Sequence, residues 1–494
     1  MKEKYRKMKN LFLRQSYLDS WEDYQRSLNK SNFIIWDYFI ITASNEEQAE
    51  NYRDQIRCRL EEGLLPAGTH YAVLSDPDGK RVGSGGATFN VLKYIREQEP
   101  EQANPFAERR ILVIHSGGDS KRVPQYSATG KLFAPVPREL PNGHGSTLFD
   151  EFVIGMSGVP SRIKDGMLVL SGDVLLLFNP LQIDSQFHGA AAISIKEPVE
   201  IGKDHGVFLN NGKDCVRSFL HKQTEESLRA SGAVNEQGYV DLDTGAILFD
   251  SELLMALLGL ITTENKLDNN KFYKFVNEKS RVSFYGDFLY PLAESSTLED
   301  YYREKPEGED TPELRECRKE IWEALHDFSL KLICLSPAEF IHFGTTWELL
   351  QLVTHDVEDY EFLDWKKQVL STSVSGDFAA HNSYIGKKVC LGKDCYFENS
   401  FILGKSAVGD NTILSCVYLR DTEVPAEIVL HGLLLNGQKH IVRIYGIHDN
   451  PKDLLTPGHR FLGEDAEAFL QAAGIRPDTY TTLWETPIYP VCES

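Results

Sequence analysis

The residues with the clearest chemical capacity lie between Ile111 and Lys131, in ILVIHSGGDSKRVPQYSATGK. Four apolar residues run into Gly117 and Gly118, whose missing Cβ atoms let successive backbone N–H groups turn toward an anion. Arg122 and Lys131 supply the positive charge that a polyphosphate in transfer requires, the alternative for either alone being a solvated surface charge. Two common phosphate motifs fail on spacing. A P-loop places glycine five residues before its Gly-Lys pair and Ser or Thr after it, where this chain has Gln125 and Leu132. In GSGGAT, Thr88 stands where a dinucleotide fingerprint needs its third glycine. Asp173, in LVLSGDVLL, follows a second apolar run, where a carboxylate either joins phosphate oxygens around Mg²⁺ or serves as a turn residue.

Elements must hold these loops in place. Residues 1–30 read as a charged surface helix without glycine or proline. From FIIT onward, short apolar runs alternate with helical patterns: residues 45–62, HYAVL, a glycine-rich loop at Ser84–Thr88, a helix from Phe89 to Glu99, then ILVIHS. That alternation predicts α/β architecture with parallel strands joined by helices, and MLVLSGDVLLLF and AAISIKEP add two more strands. Ligands in open sheets of this kind sit beyond the strands' C-terminal ends, so SGGDSK and SGDV can line one crevice. A charged segment from Leu298 to Phe328, interrupted by PEGEDTP, reads as a lid or connector. After Asn382 apolar residues return every six positions, with a one-residue slip near Val408. This period predicts a left-handed parallel β-helix of five or six short coils, with Ile385, Leu391 and Leu403 pointing inward. The chain thus divides into an N-terminal helical segment 1–30, a catalytic domain 31–370, a β-helix 371–449 and a tail 450–494.

Composition narrows the partners. In 494 residues, 41% are apolar and 25% charged, as in ordinary globular proteins. Acidic residues outnumber basic ones by 73 to 52, a net charge of −21 that repels nucleic acid and anionic membranes. An anionic substrate therefore needs a locally positive pocket. The N-terminus lacks the apolar core of a secretory signal, and no run approaches the roughly 18–20 apolar residues of a spanning helix. Eight scattered cysteines without a CxxC pair read as reduced thiols of a cytoplasmic protein.

The ordered set Gly117, Gly118, Ser120, Arg122, Pro124 and Lys131, with Lys121 added, resembles the loop of sugar-1-phosphate nucleotidyltransferases. The longer wording, SDPDGKRVGSGGAT, HSGGDSKRVPQYSATGKLFAPVP and LVLSGDVLL, resembles the fucose-1-phosphate guanylyltransferases, also called GDP-fucose pyrophosphorylases. The likeness runs from about Tyr71 past Asn382. It implies a nucleotidyltransferase-type, Rossmann-like mixed sheet followed by the left-handed β-helix, and conversion of GTP and fucose 1-phosphate to GDP-fucose and pyrophosphate with Mg²⁺.

Residue by residue, the resemblance implies that Arg122, Lys131 and Asp173 are catalytic, with Asp173 and Asp287 (in FYGDFLYPL) as metal ligands. A structural turn is the other reading of Asp287. Ser84, Gly85, Gly86, Thr88, Gly117, Gly118 and Ser120 would meet the nucleotide. Lys222, His205, Gly206, Asp243, Thr244 and Gly245 would meet the sugar phosphate, although His221 and Gln223 depart from the Glu-Lys-Pro wording usual around that lysine. Three alternatives stand beside this reading: another sugar 1-phosphate or UTP as substrate, a piece of a bifunctional protein with a fused fucokinase, and a catalytically silent regulatory or assembly subunit. Association into a homo-oligomer is left open by the sequence. No kinase-type glycine- and serine-rich phosphate loop is present, so kinase activity is not expected of these residues.

Overall fold

The computed structural model describes residues 2–118, 120–184, 186–371, 376–435, 439–476 and 480–493. The chain forms two compact units, each built from two segments: residues 1–118 with 152–341, and residues 119–151 with 342–494.

The first unit contains helix α1 (Lys2–Asn29), strand β1 (Tyr38–Ala43), helix α2 (Glu46–Glu61), strand β2 (His70–Ser75), helix α3 (Gly83–Gln98) and strands β3 (Arg110–His115), β4 (Gly166–Ser171), β5 (Gly189–Pro198), β6 (Gly206–Asn210), β7 (Val216–His221) and β8 (Tyr239–Phe249). Helix α4 (Pro312–Leu325) and strand β9 (Ser329–Leu335) follow them, among other shorter elements. Strands β2, β1, β3 and β4 lie side by side and parallel. Their centres are buried on both faces, which is why they read as continuous apolar runs rather than as alternating ones. Strand β8 enters antiparallel. Along one edge it pairs first with β6 and then with β4, and along the other with β5. Strand β7 lies antiparallel on β6, and β9 parallel on β5, giving nine strands in a Rossmann-like mixed sheet.

Helix α2 begins as its sequence dictates, Asn45 accepting from the Gln48 N–H with Glu46 and Glu47 in the first turn. Helix α3 differs from expectation. It starts at Gly83, so the segment read as a loop, Ser84 to Thr88, forms its first turns. The glycines there answer to packing: a Cβ on Gly85 would fall 2.6 Å from the Val282 side chain, and one on Gly83 2.4 Å from the Val282 carbonyl oxygen.

In the second unit, parallel coils stack as the six-residue period predicts. Ala380, Phe397 and Leu414 align on one wall, Ile385, Ile402 and Leu419 on the second, and Leu391, Val408 and Val424 on the third. One wall has five parallel rungs among the described residues, in line with the five or six coils expected, and the other two have three each. The slip near Val408 appears as a coil one residue shorter, Ile413 aligning with Val429 where Tyr396 aligns with Ile413. The inward phase needs one correction. Ile385 is buried and Leu391 packs at the margin of the coil core, but Ile402 rather than Leu403 fills the interior. Ile402→Asp would therefore bury an unpaired charge and should cost several kcal/mol of stability. Thermal melting checks this, and a variant that melts with the parent would mean the phase is wrong.

Candidate active site

In the first unit, polar side chains gather where the parallel strands end. His115 closes β3 with its ring between two hydroxyls, Nδ1 3.4 Å from Thr42 Oγ1 and Nε2 3.2 Å from Thr88 Oγ1. Burial pushes its pKa down to about 4, so the imidazole is neutral near pH 7. Beyond it, Tyr52 Oη lies 3.0 Å from Ser116 Oγ, and the Gly118 carbonyl accepts from Gln48 Nε2 at 3.3 Å. The protein itself places little steric demand on the two loop glycines. A Cβ on Gly118 would meet nothing within 4 Å, and one on Gly117 only ordinary contacts from 3.5 Å outward.

The end of β4 is drawn against the end of β3 by the Gly172 N–H, which donates to the His115 carbonyl at 2.9 Å. Asp173 follows, its Oδ1 accepting from Ser171 Oγ at 2.6 Å. Across from it β8 changes partner at a bulge, Asp243-Thr244-Gly245, with Gly245 at φ +70°. The strand runs through this bulge and continues in the apolar run Ala246–Phe249. Bulges re-aim side chains, and this one separates two roles. Thr244 turns inward and donates to the Ile193 carbonyl at 2.6 Å, which commits its hydroxyl to the sheet. Asp243 accepts from the Gly245 N–H at 2.9 Å, while burial raises its pKa to about 6.

Three other residues expected to meet a sugar phosphate gather beside Asp243. A Cβ on Gly206 would come within 3.0 Å of the Asp243 Cβ, so only glycine fits beneath that carboxyl. Lys222, at φ +48° past the end of β7, donates its N–H to the His205 carbonyl at 3.0 Å. Its side chain is exposed.

Two expectations need correction. Asp287 is fully buried, with Oδ1 accepting from Arg318 Nε at 2.8 Å and Oδ2 from the Ser283 N–H at 2.6 Å. Both oxygens are committed, so the geometry answers the turn reading rather than the metal reading. The residue of that segment facing the strand ends is Tyr285, whose hydroxyl donates to the Gly245 carbonyl at 3.1 Å. The backbone donors of Ser84, Gly85 and Gly86 are likewise taken. Ser84 N and Oγ donate to Glu307, and the Gly85 and Gly86 N–H groups donate to the Val282 carbonyl. Glu307, from the PEGEDTP turn, places a carboxylate at the α3 N-terminus, where the helix dipole favours it.

The second unit holds the rest of the loop. Helix α5 (Thr346–Thr354) opens with a capping box between Thr345 and Glu348. Its first residue secures Arg122, whose carbonyl accepts from the Thr346 N–H at 3.1 Å and from Thr346 Oγ1 at 2.9 Å. The Arg122 side chain remains exposed. Lys131 donates from Nζ to the Gly344 carbonyl at 2.6 Å. Ser120 lies in the left-handed region at φ +50°, which turns the chain into this loop. Among the described residues no group of three or more His, Cys, Asp or Glu side chains could hold a metal ion, and no helix is long and apolar enough to cross a membrane.

A Rossmann-like mixed sheet with polar loops at its strand ends, followed by parallel coils, makes this a two-part α/β protein of the ligand-binding kind. Residues 104–494 match the family described as the fucose pyrophosphorylase domain, and the chain belongs to that family. It is 26% identical to a fucose-1-phosphate guanylyltransferase of Mus musculus, covering 93% of this chain and 84% of that protein. It is 25% identical to the one of Homo sapiens, over 93% and 82%. A bifunctional fucokinase/GDP-fucose pyrophosphorylase of Arabidopsis thaliana is 26% identical over 96% of this chain, which spans about half (48%) of that relative's length.

Proposed function

We propose that this chain joins GTP and fucose 1-phosphate into GDP-fucose. An oxygen of the sugar phosphate attacks the α-phosphorus of GTP, the bond from that phosphorus to the bridging oxygen breaks, and pyrophosphate leaves with the electron pair. The observation that carries this reading is the family match over residues 104–494, which includes the loop from Gly117 to Lys131. Little in such a transfer is covalent chemistry by the protein, so catalysis rests on position and charge.

Lys131 and Arg122 take the triphosphate. Arg122 is anchored through its backbone carbonyl and Lys131 through a bond from its ammonium to the Gly344 carbonyl, which restrains where each charge can point. Gly118 fits a close approach of phosphate, because the space a Cβ would fill is open, and Gly117 beside it meets only ordinary contacts. Ser120 adds a hydroxyl there. Lys222 and the backbone around His205 and Gly206 take the sugar phosphate. Asp243, whose raised pKa lets it share a proton, faces sugar hydroxyls from the bulge that Gly245 makes possible. Asp173 holds Mg²⁺. A single carboxylate with phosphate oxygens and water is a donor set that this hard cation commonly uses, and when bound it neutralises charge growing on the phosphates. The coils are read as left-handed from their six-residue period.

Pyrophosphate release from purified protein, measured with four nucleoside triphosphates against several sugar 1-phosphates, tests the reading. The expected maximum of kcat/KM is GTP with fucose 1-phosphate, since a pocket built on polar contacts to one base leaves those groups unpaired with another. A maximum with UTP would make the chain a uridylyltransferase, and no release from any pair would favour a silent subunit.

A further inference from the structure

Outward side chains of a parallel coil ordinarily meet water. On one wall of these coils they do not. Glu398, Ser415 and His431 align in register on successive rungs and are 2%, 2% and 0% exposed. What covers part of this polar column is the loop that carries Arg122 and Lys131. Tyr126, 5% exposed, donates its hydroxyl to Glu398 Oε2 at 2.6 Å, and Ser415 donates to Glu398 Oε1 at 2.5 Å.

A second attachment comes from the antiparallel hairpin that closes the coils, Ile428–Leu435 with Lys439–Gly446. Arg443 on its returning strand donates from one terminal nitrogen to the Pro124 carbonyl at 3.1 Å and to Ser127 Oγ at 2.6 Å. Its Nε donates to His431 Nε2 at 3.1 Å. That bond requires a neutral imidazole with its proton on Nδ1, and burial beside the guanidinium holds the His431 pKa down to about 3. The guanidinium also lies over the Trp484 ring at 4.8 Å, and the Lys121 ammonium lies 5.7 Å from the same ring. The tail beyond the coils thus reaches the same loop.

We propose that Glu398 and Arg443 are positioning residues of the transferase: the coils and hairpin are the seat on which the Ser120–Lys131 loop is held so that Arg122 and Lys131 meet the triphosphate. This rests on the function proposed above for that loop. Every contact the argument uses lies within the second unit. The chemistry favours a seat over a simple filler. A fork of fixed donors spends itself on one carbonyl, one hydroxyl and one ring nitrogen, and a buried carboxyl takes two hydroxyls. Plain packing of a loop on a coil would use apolar side chains and avoid the desolvation of both charges.

Arg443→Lys removes the fork, and Tyr126→Phe removes only one hydroxyl, so the second variant folds even if the first is impaired. Each is compared with the parent by hydrogen-exchange mass spectrometry and by pyrophosphate release from GTP and fucose 1-phosphate. The expected result is faster exchange confined to residues 120–131, with kcat reduced about 10- to 100-fold and KM for GTP changed much less, since small misplacements of a positioned charge cost rates of this order. Parent-like exchange in that segment overturns the proposal. So does faster exchange there with unchanged kcat, or faster exchange throughout the coils in both variants, which would mark a merely structural contact. If the parent itself releases no pyrophosphate, the proposed function fails, and exchange at 120–131 still decides whether the seat exists.

Discussion

Lys131→Ala should lower turnover by about 10² or more while leaving the melting temperature close to that of the parent. The two effects separate because the backbone here is held by its neighbours: Leu132 and Phe133 are 0% and 8% exposed within the short turn Lys131–Phe133. The bond from the lysine to the Gly344 carbonyl is worth about 1 kcal/mol. A charge aimed at a departing pyrophosphate is worth several times that in the transition state alone. Arginine at this position should rescue little, because a planar fork cannot take the place of a compact ammonium. Steady-state kcat and KM for GTP, with a melting curve, decide the matter. Near-parent turnover in the alanine variant would remove Lys131 from the reaction.

Asp173→Asn should lower kcat by about 10² to 10³ and shift the Mg²⁺ titration to higher concentration. The amide keeps the size of the carboxylate and can still accept from Ser171 Oγ, so the loop after β4 retains its local bond. What it loses is the negative charge that a hard cation seeks. Rates are compared across a Mg²⁺ series for both proteins at saturating GTP. If the variant titrates as the parent does and keeps its rate, the carboxylate does not hold the metal.

Strands β1, β3 and β4 were legible because a strand buried on both faces is written as an unbroken apolar run. The direction of β8 was not, since its antiparallel pairing with β4 joins Phe249 to Met167, far apart in the chain, and no local pattern records that. The start of α3 was missed for a different reason. Glycines read as loop formers, but these are required by the close approach of Val282. In the coils the period was plain and the phase was not, because FILG offers two adjacent apolar residues and only packing selects Ile402 over Leu403. The glycines and basic residues of the 117–131 loop stand out through composition, which is local. The commitment of Asp287 to Arg318, of Thr244 to Ile193 and of Ser84 to Glu307 was invisible, because each partner comes from elsewhere in the chain. The burial of Glu398 and His431 is equally invisible in the sequence, because Tyr126 and Arg443, which cover them, lie outside the repeat pattern.

The interleaving of the two units sets an order on the birth of this protein. Residues 119–151 leave the ribosome well before the partners they pack with, residues 342–494. Until then Leu132, Phe133, Val136 and Phe149, all buried in the finished fold, have no home. The first unit has every strand of its nine-stranded sheet once β9 is complete, whereas the second waits for residues 342–494 and closes a very long loop to form. A nascent chain of this kind carries an adhesive segment through most of its synthesis, and shortening the coils would leave that segment permanently exposed.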